Sequence, residues 1–144
     1  VDSEVEIRRV KDSDTSVLAE MYCRLNIETF DWMPKNTFSI SDFEEDTQGE
    51  EILVAVVEDK ILGFVSLLVS ENLIHQLYVD TSAQGMGLGK TLLDAVVQLT
   101  EQRPLFLNCR EKNERAINFY KKYGFKTESQ MDNNSDSYLR LVLD

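Results

Sequence analysis

Apolar positions recur along this chain with two different periods, and the changes of period divide it into elements. In "EVEIRRV", Val5 and Ile7 alternate, continued imperfectly by Val10, and predict a first strand. From Ser13 to about Phe30 the period lengthens. Val17, Leu18, Met21 and Leu25 recur three and four apart behind Ser, Asp and Thr cap candidates, which predicts a helix. Pro34 breaks the chain, and "SISDFEEDTQG" predicts a short second helix capped by Ser41, with Glu44 three residues on and Gly49 as its stop. The period then drops to that of strands. "EILVAVVE", "KILGFVSLLV" and "NLIHQLYV" are joined through Asp59-Lys60 and Ser70-Glu71-Asn72, and joins so short imply an antiparallel meander.

A glycine-rich stretch follows, after which Leu88, Leu92, Val96 and Leu99 mark a third helix, ended near Pro104. "LFLNC" predicts a strand, and residues 113–123 a fourth helix closed by Gly124, with Lys121 and Lys122 at the negative end of its dipole. "FKTESQ" and "YLRLVL" predict a closing hairpin across the polar turn "DNNSDS". The order β-α-α-β-β-β-α-β-α-β-β implies a mixed α/β (α+β) fold: a central, largely antiparallel sheet of seven strands flanked by four helices. With 144 residues and no repeat, low-complexity tract or linker, residues 1–144 read as one domain. A chain of that size buries roughly 70% of the surface it exposes unfolded.

Charge narrows the partners. A net charge of −11 argues against nucleic acid and against anionic membranes, both of which call for a basic surface. It suits a cationic partner, and equally serves solubility alone. Cys23 and Cys109 lie far apart without metal-ligand spacing, so no metal site is expected and both read as buried thiols of a reducing compartment. No apolar run approaches the ~20 residues of a membrane span, and the charged start "VDSEVEIRRV" does not resemble a signal peptide. These features point to the cytoplasm.

The stretch "QGMGLGKT", residues 84–91, holds three of the six glycines and reads as a phosphate-binding loop. A P-loop requires G-x-x-x-x-G-K-[ST]; Gly89-Lys90-Thr91 supply its end, but Gln84 stands where the first glycine belongs. A dinucleotide G-x-G-x-x-G would use Gly85 and Gly87 and then meets Lys90. The third pattern, Q/R-x-x-G-x-G/A, is met by Gln84, Gly87 and Gly89. Downstream, "NERAINFYKKYGF" supplies N-x-x-A-x-x-x-Y followed by G-F. In these two motifs, in order and about thirty residues apart, the chain resembles the GNAT superfamily of N-acetyltransferases, and the element order matches that fold over essentially its whole length.

The resemblance implies transfer of an acetyl group from acetyl-CoA to a primary amine, of a small molecule or of a peptide, by direct attack in a ternary complex without a metal. It implies that Gln84, Gly85, Met86, Gly87, Leu88, Gly89, Lys90 and Thr91 hold the pyrophosphate. Main-chain N–H groups at the positive end of a helix suit that anion, and glycines let the backbone approach it. Lys90 either adds charge at the rim or is a solvated helix residue. In the same way Leu77, Tyr78 and Val79 would bind the pantetheine arm through their main chain, with the Leu77 N–H on the thioester oxygen. Asn113, Ala116 and Tyr120 share one helix face. The resemblance gives Asn113 the cofactor amide, beside its role as helix cap, Ala116 the room for the cofactor to pass, and Tyr120 the proton for the departing thiolate. Tyr120 as a core aromatic remains the plainer alternative; Phe119 and Tyr123 read as packing.

The attacking amine must be neutral, so a group must take its proton. Many members of the family carry a glutamate early on the strand before the loop; here that place falls near Leu73. His75, the only histidine, lies two residues before Leu77, which on a regular strand puts both on one side, and its ordinary pKa suits a base. A structural histidine is the alternative, and Glu28 and Asp31 are further candidates. Phe30, Trp32 and Tyr138 either shape the acceptor pocket or cover the core. The segment from Ser41 to Glu51 carries Asp42, Glu44, Glu45, Asp46, Glu50 and Glu51 and no Lys or Arg, the pattern of an acidic cleft rim for a cationic acceptor or of a solvated face. A homodimer is left open, and so is a rival function: a non-catalytic acyl-CoA-binding module on the same fold.

Overall fold

All seven predicted strands join one sheet in the computed structural model of the chain, which describes residues 4–29, 39, 41–83, 85–133 and 136–144. The strands are β1 (Val5–Arg9), β2 (Glu51–Val57), β3 (Lys60–Leu68), β4 (Leu73–Val79), β5 (Leu105–Arg110), β6 (Lys126–Asn133) and β7 (Asp136–Leu143). The helices are α1 (Thr15–Thr29), α2 (Asp42–Asp46), α3 (Leu88–Leu99) and α4 (Glu114–Tyr123). Across the sheet the order is β1-β2-β3-β4-β5-β7-β6, and every pairing is antiparallel except β4 with β5. A parallel pair needs a crossover, which α3 supplies.

The central strands are apolar on both faces because helices cover both. Leu53 and Ala55 of β2, Val65 and Leu67 of β3 and Leu107 of β5 meet Leu92, Leu93 and Val96 of α3 and Ile117 of α4. On the opposite face Ile52, Val54 and Phe64 meet Leu18, Met21, Tyr22 and Leu25 of α1 and Phe43 of α2. β4 lies between the two, with Ile74 in the first core and Tyr78 packed against the second, and β5 contributes Leu105, Leu107 and Cys109 to the first.

Several boundaries differ from expectation for local reasons. Ser41 does not cap α2 through its side chain: its own backbone is already helical (φ −70°, ψ −15°), and its hydroxyl meets the Ser39 hydroxyl at 2.9 Å. An N-cap side chain reaches the free amides from an extended backbone, which Ser41 lacks. Asp42 closes the turn instead, accepting the Ser39 N–H at 2.7 Å. The β2–β3 turn is Glu58-Asp59, both left-handed (φ 51° and 65°), so Lys60 already belongs to the strand. α1 follows a 3-10 turn, Asp12–Asp14, where the Asp14 carboxylate accepts the Lys11 N–H at 2.8 Å and pairs with Arg8 at 2.8 Å. α3 stops at Leu99, five residues short of Pro104. Gln84, Phe30, Asp31, Trp32 and Pro34 lie outside the described residues. Among the described residues, no helix is long and apolar enough to cross a membrane.

Candidate active site

The parallel pair is the place where the sheet opens. β4 and β5 pair at Leu73 with Phe106 and at Ile74 with Leu107, and no farther. Their closed end is fastened by Asn72, whose backbone is left-handed (φ 50°) and whose side chain is buried. Its amide donates to the carbonyls of Gln102 (3.0 Å) and Pro104 (2.8 Å), its oxygen accepts from the Thr100 hydroxyl (2.6 Å), and its own carbonyl receives the Phe106 N–H (3.0 Å). Beyond Ile74 the strands part.

Strand alternation decides which main-chain groups face the gap. Asp80 donates its N–H to Leu62 of the β3 side at 2.8 Å, so Tyr78, two residues back, also presents its main-chain polar groups to β3. Leu77 and Val79 present theirs to the opening. A register shift opposite Ser66 and Leu67 leaves His75 as an extra residue of β4, between Gln76 paired with Ser66 and Ile74 paired with Leu67. The Gln76 N–H is taken by the Ser66 hydroxyl at 3.1 Å. The bulge breaks the simple alternation that would put His75 and Leu77 on one side.

At the open end of the gap stands the start of α3. Gly85 and Gly87 have φ of 89° and 75°, and a Cβ on either would meet nothing within 4 Å. The loop therefore bends where only glycine is at ease, with clear space in front of it. Thr91 already donates its N–H to the Gly87 carbonyl at 3.1 Å, while the N–H groups of Leu88, Gly89 and Lys90 are those a helix leaves without an internal partner. Those donors, the dipole and the open face fit a diphosphate. Side chains contribute less. Leu88 is buried, Met86 is exposed, the Lys90 ammonium pairs with Asp94 at 3.1 Å, and the Thr91 hydroxyl donates to the Gly87 carbonyl at 3.0 Å. Gly89 serves packing: a Cβ there would sit 3.4 Å from the Phe119 ring.

Between the two walls lies a buried phenol. Tyr120 is 9% exposed and packs edge-on against Phe119 and Phe125, with centroids at 5.3 and 5.9 Å. Burial pushes its hydroxyl far above the usual tyrosine range. Tyr120 shares a packed cluster with Cys109 of β5, and Leu77 and Val79 of β4 pack against it. Burial raises the Cys109 thiol to about 11. The Tyr78 hydroxyl is engaged, donating to the Asn26 carboxamide oxygen at 2.5 Å. No such bond to a described residue occupies the Tyr120 hydroxyl. Asn113 caps α4 by accepting the Ala116 N–H at 3.3 Å, leaving its amide nitrogen for other use, and Ala116 is half-buried on the same face. Tyr123 packs against the core, the role expected of it, and its hydroxyl donates to Asp94 at 2.6 Å.

Next to the last β4–β5 pair, His75 meets acidic residues. His75 places Nδ1 2.5 Å from the Glu50 carboxylate; the imidazole is 40% exposed and the Glu50 side chain 4%. The Glu50 hydrogen bond raises the imidazole pKa above its ordinary 6.5. Partial burial opposes the rise, and the charges of Glu50 and Asp46 and the Asp46 main chain add to it. Asp46 itself accepts the Tyr22 hydroxyl at 2.6 Å. Glu51 pairs with Arg9 at 3.1 Å, whereas Glu44 and Glu45 are exposed. Glu28 accepts the Thr81 hydroxyl at 2.7 Å, and Arg24 pairs with Asp80 at 2.7 Å, so α1 is tied to the chain entering the glycine loop. Tyr138 is half-buried under the Arg110 guanidinium, 5.2 Å from its ring. Leu73 lies at the closed end. Sequence reasoning missed Glu50, Asn26, Asn72 and Tyr22 as site neighbours; only the acidic run hinted at the first. Among the described residues no three His, Cys, Asp or Glu side chains converge as a metal site.

Comparisons with known proteins identify the family and the fold. The model of the Acetyltransferase (GNAT) family matches residues 18–125. The peptidyl-lysine N-acetyltransferase YjaB of Escherichia coli is 31% identical over 144 residues, covering 96% of this chain and 95% of that protein. Its solution structure in the apo form superposes with a TM-score of 0.76 over 96% of this chain and 97% of that one, at 27% identity. A spermine/spermidine N(1)-acetyltransferase of Bacillus subtilis is 30% identical over 70 residues, 46% of each chain. The PaiA N-acetyltransferase of Thermoplasma acidophilum, solved with coenzyme A, shares the fold with a TM-score of 0.77 over 95% of this chain and 98% of that one, at 21% identity.

Proposed function

The chain belongs to the GNAT family and is an acetyl-CoA-dependent N-acetyltransferase that acylates an amine, and we propose that its acceptor is a cationic primary amine, a lysine side chain or a polyamine. One observation supports this reading: His75, next to the last β4–β5 pair, has Glu50 and Asp46 as its charged neighbours. Carboxylates beside a cleft concentrate cations and speed their encounter.

In this reading acetyl-CoA lies with its diphosphate on the N–H groups of Leu88, Gly89 and Lys90 and its pantetheine arm along the Leu77 and Val79 main chain. The free Asn113 amide nitrogen meets the arm where Ala116 leaves room. His75 takes the proton of the acceptor ammonium. The neutral nitrogen attacks the thioester carbon, the Leu77 N–H holds the oxyanion that develops, and collapse breaks the C–S bond. Tyr120 gives its proton to the departing thiolate. Its raised pKa keeps it protonated throughout the neutral range, the state a general acid requires. The free thiols Cys23 and Cys109 suit a reducing compartment, the cytoplasm.

The test is release of free CoA thiol from acetyl-CoA across a panel of lysine peptides, polyamines, neutral-side-chain amino acids and anionic amines. Lysine peptides or polyamines should lead, with a kcat/KM that falls as salt rises and falls less steeply after neutralising Asp46, Glu44 and Glu45. A best acceptor that is neutral or anionic, or a flat salt response, refutes the cationic assignment and leaves the transferase intact.

A further inference from the structure

We propose that Glu50 is the positioning residue of the acceptor side: its buried carboxylate holds Nδ1–H of His75 and turns Nε2 toward the acceptor amine as the proton-accepting atom. The proposal rests on the reading of His75 as the base and adds to it a residue from outside both sequence motifs.

Three features of the structure carry it. The first is distance and burial together: Nδ1 of His75 and Oε2 of Glu50 stand 2.5 Å apart, and the Glu50 side chain is 4% exposed while the imidazole is 40% exposed. A carboxylate does not give up water for an ordinary surface ion pair; here it lies behind the ring, and the ring faces outward. The second is that the other Glu50 oxygen, Oε1, is buried with no hydrogen-bond partner among the described residues. Among the described residues the hydrogen bond of the Glu50 carboxylate is therefore the one with His75. The third is the bulge: His75 is the extra residue of β4, which lifts its side chain out of the regular alternation and toward the segment that precedes β2.

The chemistry follows from the imidazole's two nitrogens. With Nδ1–H donated to a carboxylate, the neutral ring carries its lone pair on Nε2, and the imidazolium formed on proton capture is stabilised by the negative charge behind it. The proton leaves the acceptor ammonium for Nε2 of His75 and passes to solvent after acyl transfer; Glu50 remains ionised throughout. The charged groups facing the imidazole are Glu50, ahead of β2, and Asp46, at the end of α2. From β3 the bulge is faced by Ser66 and Leu67, which do not titrate.

His75 is the only histidine, so an untagged chain gives one imidazole signal to follow. Nitrogen-15 NMR of the wild-type protein should show the Nδ1–H tautomer above the titration midpoint, and a midpoint above that of free histidine. In Glu50→Gln the midpoint should fall and the tautomer preference weaken. Its kcat should drop by at least about tenfold, as when a histidine base loses its orienting carboxylate. The acid limb of kcat/KM against pH should move to lower pH with the midpoint, and the KM for acetyl-CoA should not change. Glu50→Asp, which keeps the charge, should restore part of the rate. An Nε2–H tautomer in the wild type overturns the proposal even if Glu50→Gln does not fold. A folded Glu50→Gln enzyme with the wild-type rate and acid limb also overturns it. Should His75→Gln keep full activity, the base assignment itself fails, an outcome separate from either of these.

Discussion

Replacing Tyr120 by phenylalanine separates its chemical role from its packing role, because the structure predicts a large loss of rate and little change in stability. The ring is held by edge-on contacts with Phe119 and Phe125, which phenylalanine keeps. The hydroxyl makes no hydrogen bond to a described residue, so its deletion breaks none among them. Its oxygen is not one of the buried polar atoms left without a partner, so its loss changes stability by no more than about 1 kcal/mol. At about 2–4 °C per kcal/mol for a chain of this size, Tm should hold to within a few degrees. The rate should fall far more. Loss of a general acid lowers kcat by about 10²–10⁴, or about 3–5 kcal/mol of transition-state stabilisation, while the KM for acetyl-CoA stays nearly constant. Thiol release at saturating acetyl-CoA and acceptor gives kcat, and calorimetric melting gives Tm. A further sign is the pH profile: burial raises the Tyr120 pKa above its ordinary 10.0, so the wild-type profile should show no basic limb from this phenol up to that pH. A Tyr120→Phe enzyme within about threefold of the wild-type kcat, or one that melts well below it, refutes the assignment of the hydroxyl to catalysis.

Gly87→Ala should cost about 1–2 kcal/mol through its left-handed φ of 75° and should weaken coenzyme A binding by about tenfold or more, since the new Cβ fills the space in front of the α3 amides; a urea melt reads the first and titration calorimetry on the folded variant the second. Asn72→Ala removes three side-chain hydrogen bonds at the closed end of β4 and β5. Urea melts should show a loss of about 2–4 kcal/mol. The Asp14 carboxyl is held below its ordinary 3.8 by the Arg8 hydrogen bond and by the Lys11 N–H, against the effect of burial. Its contribution to stability is therefore complete above that pH and is lost as pH falls through the lower folded value. Asp14→Asn should melt earlier than wild type at neutral pH, and the gap should close in melts taken progressively below about pH 4.

Element types and their order were legible because each rested on a period or a stop that tertiary structure did not override. The apolar runs of β2 and β3 are buried on both faces, and Gly124 closes α4 with a φ of 131°, its N–H on the carbonyls of Tyr120 and Lys121. Ser41 was misread because capping depends on backbone dihedrals as well as residue type. The turn at Glu58-Asp59 slipped by one because two non-glycine residues take left-handed φ there, which composition does not announce. Lys90 next to a glycine loop suggests phosphate charge, yet Asp94 one helical turn on takes that ammonium.

The limit of sequence reading is clearest at His75. Alternation along "LIHQLYV" puts positions 75, 77 and 79 on one face, but one extra residue changes that relation, and nothing in the local composition marks it. In the proposed reading the same extra residue separates the two halves of the site. Beyond it, the Leu77 and Val79 main chain faces the opening toward α4 and its phenol, while the side chain at the bulge meets Glu50 and Asp46 on the face covered by α1 and α2. An acyl transferase of this kind needs a thioester held on one side of a gap and an amine deprotonated on the other. A regular strand would give both tasks to one face; in the proposed mechanism the bulge lets a single strand serve two.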